Sequence, residues 1–272
     1  MPFPESPRIV FERNPLAQVI CQLRFPTILK VAAQEPAEFQ ESIRQEYPSY
    51  RKDQGPGTAI PEELNKLLSS FGMSAPQLSV AHTFQSADER KVTGLTPDFV
   101  AVTDNHYQDW NEFSADIDRA KAAVERVYQP SYYTRVGLRY VNVIDREKLG
   151  VSDVPWPQLI QPQLLGMLGT TEIGDEVMQI KTDTLIEIPE VDDAYLRLKH
   201  GLETKDEREL YRFDADFFVA ERRGPADVQP ILGRFNVITG NFFRWAITAA
   251  LRQALRPVEA PGRTRRAGGA RR

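Results

Sequence analysis

The sequence predicts an α+β fold, duplicated βαβββα units with an antiparallel sheet covered by helices, and three observations predict it. Runs that alternate apolar and polar residues recur along the chain, runs of helical period lie between them, and the order strand, helix, three strands, helix occurs twice. With 272 residues, 41% of them hydrophobic, the chain can bury a sizeable core and is neither collagen-like nor disordered.

The opening segment, residues 1–15, is rich in proline, which disfavours helix at the preceding residue, and reads as an extended arm. From Leu16, Val19, Cys21, Leu23 and Phe25 alternate with Ile20, Gln22 and Arg24, giving a strand with one apolar face that Pro26 closes. Pro36 starts a short amphipathic helix carrying Phe39, Ile43 and Tyr47, and a second short helix is expected from Pro61. QLSVAHTFQS, RKVTGLT and DFVAVTD then read as an antiparallel meander. Asp109 or Asn111 caps a helix whose Phe113, Ile117, Ala120, Val124 and Val127 share a face, and Pro130 ends it.

The pattern then restarts. YYTRVGLRYVNVI is a strand, PWPQLIQPQLLGML a broken helix, and EVMQIKTDTLIEI, AYLRLKHG and ELYRFDADFFVAER a second meander, closed by one helix from Ile231 to Leu255. The expected organisation is an arm over 1–15, a first repeat over 16–130, a second over 131–256, and a disordered Arg-rich tail over 257–272. QLRF at Gln22 and GLRY at Gly137 are 115 residues apart, and Asp98-Phe99 and Asp216-Phe217 are 118 apart, close to the same spacing.

Composition removes several classes of chemistry. A single Cys21 excludes an intrachain disulfide framework and a multi-Cys zinc site, and it falls on the apolar side of its strand. His82, His106 and His200 have no ligand-pair spacing, so no metal site and no cofactor are expected. Neither GxSxG nor GxxxxGK[ST] is present, which disfavours nucleophile-elbow and phosphate-loop chemistry. No apolar run approaches the roughly 18 residues of a membrane span, and no basic stretch followed by an apolar one opens the sequence, so the expected location is the cytoplasm with no membrane partner. The tail carries +4 against a body of about -8, so contact with nucleic acid is expected only through the tail.

NPL-x5-QLRF, then Tyr107, Trp110 and Phe113 at a helix start, then RVGLRYVNVI (Arg135, Gly137, Leu138, Arg139, Tyr140, Asn142 and Ile144) and a C-terminal aromatic helix occur together here. In this combination the chain resembles a family of sporadically distributed bacterial proteins of unknown function, over nearly its whole length to about Arg256. The resemblance supplies no catalytic residue. The scattered occurrence of such proteins implies an accessory role in a mobile or defence system.

Alternation sends Arg135, Gly137 and Arg139 to one face of their strand, and the matching face of the first strand carries Ile20, Gln22 and Arg24. If the halves pair about a pseudo-twofold axis, Arg24 and Arg139 approach each other and an anion can bridge them. Arg24, Arg135, Arg139 and Asn142 are therefore the candidate anion-binding residues, with no catalytic residue assigned. The structural alternative pairs these arginines with Asp214 and Asp216. Asp183, Glu187 and Lys199 make a conceivable catalytic set, although nothing in their spacing makes them converge. The aromatic load of the last helix (Phe235, Phe242, Phe243 and Trp245) suits core packing, a ligand cavity against a curved sheet, or a homodimer contact. The expected function is non-enzymatic binding of a small anionic or aromatic ligand or a protein partner; the alternative is an enzyme acting on a nucleotide or nucleic acid through carboxylates that converge in the fold.

Overall fold

The computed structural model describes residues 2–54 and 80–258. The helix expected from Pro61 and the tail beyond Val258 lie outside the described residues. Nine strands form one antiparallel sheet: β2 (Leu16–Arg24), β3 (Ser49–Gln54), β4 (Val80–Gln85), β5 (Lys91–Thr96), β6 (Phe99–Asp104), β7 (Arg135–Asp145), β8 (Thr182–Glu187), β9 (Ala194–Lys205) and β10 (Arg208–Val219). The architecture is α+β, as the alternation implies. The strand order is β3-β4-β5-β6-β2-β7-β10-β9-β8.

Reading outwards from the central β2–β7 pair, each half repeats one succession: opening strand, third meander strand, second, first. β3 is added beyond β4 at one edge. The register of the central pair places Gln22 opposite Gly137, Cys21 opposite Leu138 and Leu23 opposite Val136. Matching QLRF to GLRY makes the Gln22–Gly137 pair the centre of a local twofold, with Leu23 and Leu138 related across it. The Asp-Phe match does not follow this symmetry. Phe99 lies opposite Arg24 and Asp216 opposite Arg139, so the position matching Phe99 is Asp216 rather than Phe217. A shift of one residue changes the face of the sheet. The symmetry therefore lies in strand order and register, with little of it in the letters.

The helices take the face that carries Val19, Cys21, Leu23, Leu138, Tyr140, Phe213 and Phe217, all within one core cluster. α1 (Leu29–Ala33) and α2 (Ala37–Ile43) lead into α3 (Trp110–Tyr128), whose Phe113, Ile117, Ala120 and Val124 are buried. Of the two candidate caps, Asp109 holds the start, accepting from the Asn111 and Glu112 amides at 2.7 and 3.1 Å. The broken helix becomes α4 (Arg146–Leu149), α5 (Trp156–Leu159) and short 3-10 turns to Gly169, because its prolines interrupt the ladder. The single closing helix is corrected to α6 (Val228–Ala246) and α7 (Ala249–Ala254): Ile247 turns extended to bridge Ile160, and Thr248 caps α7. β3 has no counterpart in the sequence reading, since Arg51 and Lys52 give an edge strand without an apolar face.

The arm is docked rather than loosely extended. Phe3 is buried against Phe242 and Trp245, with ring centroids 5.1 and 5.3 Å away, and the Ser6 hydroxyl accepts from Arg244. β1 (Val10–Phe11) pairs with β11 (Pro257–Val258), so the first two residues of the expected tail are held in place.

Candidate functional site

The face of the sheet opposite the core carries the arginine row, and strand register decides its geometry. Arg24 lies opposite Arg135, while Arg139 lies opposite Ile20, four residues further along β7. At about 3.3 Å per residue that separates Arg24 from Arg139 by roughly 13 Å along the strand. The expected approach of Arg24 to Arg139 is thus corrected: an antiparallel twofold centred on Gln22 and Gly137 sends equivalent residues to opposite sides of the axis. Asn142 is corrected too, because it alternates with Arg139 onto the core face, like Tyr140, and cannot share a site with the arginines.

Each arginine already has a carboxylate. Arg139, 3% exposed, grips Asp214 of β10 through Nε and Nη2. Arg135 binds both oxygens of Asp216 at 2.8 and 2.7 Å and donates to Gln22 Oε1 at 3.1 Å. Arg24, at the surface, pairs with Asp98 at 2.9 Å. The structural alternative named Asp214 and Asp216, and these are the partners. Gly137 makes the arrangement sterically feasible: a Cβ there would lie 2.0 Å from Arg135 Nη1. With no side chain in the way, the Arg135 guanidinium lies across the strand and over the Phe218 ring, 4.8 Å from its centroid.

Beyond Arg139, the same face opens into a cavity of about 340 Å³ along β8, β9 and β10. Lys181, Lys199 and Arg212 line it, together with Asp183, Glu203 and Asp214. Two of those acids are engaged elsewhere, Asp183 by Arg197 through three contacts of 2.8 to 3.2 Å and Asp214 by Arg139. Arg212 stands 3.7 Å from Asp214 and is 40% exposed. The floor of the cavity depends on Gly201, whose φ is +150° and where a Cβ would meet the Ile180 carbonyl oxygen at 1.9 Å. Lysines 181 and 199 and Arg212 were not singled out as anion ligands from sequence. Alternation alone puts Lys199 and Gly201, or Arg212 and Asp214, on one face, but only register brings the strands' faces together.

The conceivable catalytic set separates. Asp183 and Lys199 lie opposite each other, whereas Glu187 lies opposite Tyr195 near the far end of β8. Carboxylates do gather elsewhere: Lys91 contacts Glu112 at 2.5 Å and Asp116 at 2.8 Å, with Asp104 opposite it in register. Burial pushes the Asp104 carboxyl up, while at Lys91 the hydrogen bonds its ammonium donates to Asp116 and Glu112 outweigh burial and raise it. Arg119 also holds Asp116 at 2.6 Å, so this cluster ties α3 to the sheet. Among the described residues, no three His, Cys, Asp or Glu side chains are grouped to hold a metal ion. Cys21 is buried and its thiol is pushed up by that burial. No described helix is long and apolar enough to cross a membrane. No protein-family model matches the chain, and no curated protein matches it.

Proposed function

We propose that this chain is a non-enzymatic binding protein that takes a small anionic ligand in the cavity along β8, β9 and β10. The observation that carries the reading is the charge around that cavity: Lys181, Lys199 and Arg212 line it, while Asp183 and Asp214 are already matched by Arg197 and Arg139. A phosphate or carboxylate entering there meets three cations against Glu203, since Asp183 and Asp214 are matched by other arginines, and charge-assisted hydrogen bonds are the stronger kind. The buried Arg139–Asp214 pair serves as a rigid back wall rather than as a ligand. The resemblance to sporadically distributed bacterial proteins supports an accessory or regulatory role in the cytoplasm, in a mobile or defence system.

Native mass spectrometry of the protein purified from its source tests this reading, since it reports bound mass and stoichiometry together. A co-purifying small anion, displaced by pyrophosphate and lost in the Lys199→Ala, Arg212→Ala double variant, is expected. Retention of the same bound mass in the double variant, or an apo protein that pyrophosphate does not bind, would overturn it.

A further inference from the structure

The opposite side of the same strands holds a second cavity of about 300 Å³, on the core face, between β8, β9 and the docked arm. Its walls are Phe3, Trp245, Leu164, Ile186 and Leu198, with Gln163, Thr182, Thr184 and His200 as polar points. Among the described residues, no lysine, arginine, aspartate or glutamate lines it. The ligand chemistry it favours is therefore neutral and largely apolar, unlike that of the cationic cavity.

His200 supplies one directed polar atom. The residue is 8% exposed, and its Nδ1 lies 3.0 Å from Tyr211 Oη. Tyr211 has one hydroxyl proton, and it donates that proton to the Leu164 carbonyl at 2.7 Å. Its oxygen can then only accept, so His200 Nδ1 carries the hydrogen. Burial holds the imidazole below its ordinary range, which keeps the ring neutral. Nε2 consequently presents a lone pair. It has no hydrogen-bond partner among the described residues, and the ring lies on the same sheet face as Thr182, Thr184 and Leu198. Stacking with Tyr211 fixes the ring plane, with an angle of 28° between the rings.

We infer that this cavity binds a neutral mono- or bicyclic aromatic molecule bearing a single N–H or O–H, with His200 Nε2 accepting that hydrogen and Phe3 and Trp245 contacting the ring. A fixed acceptor selects for donors, because a ligand without one displaces water from Nε2 and leaves it unpaired. A carboxylate or phosphate finds no cation among the described lining residues, and the lone pair of Nε2 repels it. The inference stands apart from the anion site, whose cations Lys181, Lys199 and Arg212 do not line this cavity, although Thr182 and His200 border both.

Calorimetric titration with indole and its donor-less isostere benzofuran tests it on the full chain. Indole is expected to saturate one site, with benzofuran at least about tenfold weaker, the loss expected of one hydrogen bond to a buried acceptor. In His200→Phe the two probes should bind within about twofold of each other. Long-range nitrogen-15 spectra of the wild-type histidines provide a readout that needs no variant: the His200 Nε2 resonance should move on adding indole while Nδ1 remains the protonated nitrogen. Equal affinity for the two probes in the wild type, no saturable indole binding, or an unmoved Nε2 resonance would each overturn the inference.

Discussion

The two halves of the sheet share a strand order but differ in the chemistry of their outer face. In the first half that face carries Thr83, Thr96, Ala101, Thr103 and Gln22, uncharged and buried, with Arg24 at the end of β2 paired to Asp98. In the second half the corresponding strands carry Arg135, Arg139, Arg197, Asp183, Asp214 and Asp216, and a cavity opens among them. A common frame therefore does not imply a common site. The backbone ladder sets the symmetry, while the side chains of this face differ between the halves in charge.

The largest expected effect lies at the second half's buried pair. Arg139→Ala removes the buried partner that grips Asp214 and leaves it Arg212 at 3.7 Å, so denaturant unfolding should show a loss of about 3 kcal/mol, part of it recovered by adding Asp214→Asn. The counterpart across the local twofold, Arg24→Ala, breaks a pair in which both side chains are about one-third exposed, and should cost no more than about 1 kcal/mol. Equal losses at the two positions would break the contrast between the halves.

Gly137→Ala comes next. The new methyl displaces the Arg135 guanidinium from its place over the strand, and a loss of about 1 to 3 kcal/mol is expected in the same unfolding measurement. Lys199→Ala with Arg212→Ala should leave the melting temperature within a few degrees of wild type, because exposed charges contribute little to folding. The same double change should weaken pyrophosphate binding about tenfold or more by calorimetry. A large stability loss with unchanged binding would assign both residues to structure.

The smallest effect concerns pH. Burial lowers the His200 pKa from its ordinary 6.5, so the unfolded chain takes up a proton before the folded one as pH falls. Stability should therefore decline below about pH 6.5, and a His200→Gln variant should lose less between about pH 7 and pH 5 in parallel denaturation curves. An identical decline in both proteins would show that His200 does not titrate differently on folding.

Alternation and helical period made much of this fold legible in sequence. Val19, Cys21 and Leu23 announce the apolar face of β2, and Asp109 before α3 announces its cap. What the letters could not carry was register. The same arginines at Arg24 and Arg139 read as a bridging pair or as two separate ion pairs until Gln22 is set opposite Gly137. β3 was hidden for another reason: a polar edge strand buries no continuous face and leaves no periodic signal. The cationic cavity draws its residues from three successive strands whose faces only register aligns, and His200 gains its meaning only from the hydroxyl of Tyr211.

Mapping amide shift changes on addition of pyrophosphate tests most directly the claim that ligand binding belongs to the outer face of the second half. The account predicts changes gathered at Lys181 just before β8, Lys199 of β9 and Arg212 of β10, with Arg24 and Asp98 silent. Changes centred on the facing Arg24 and Arg135, or spread evenly over basic residues of both halves, would contradict it.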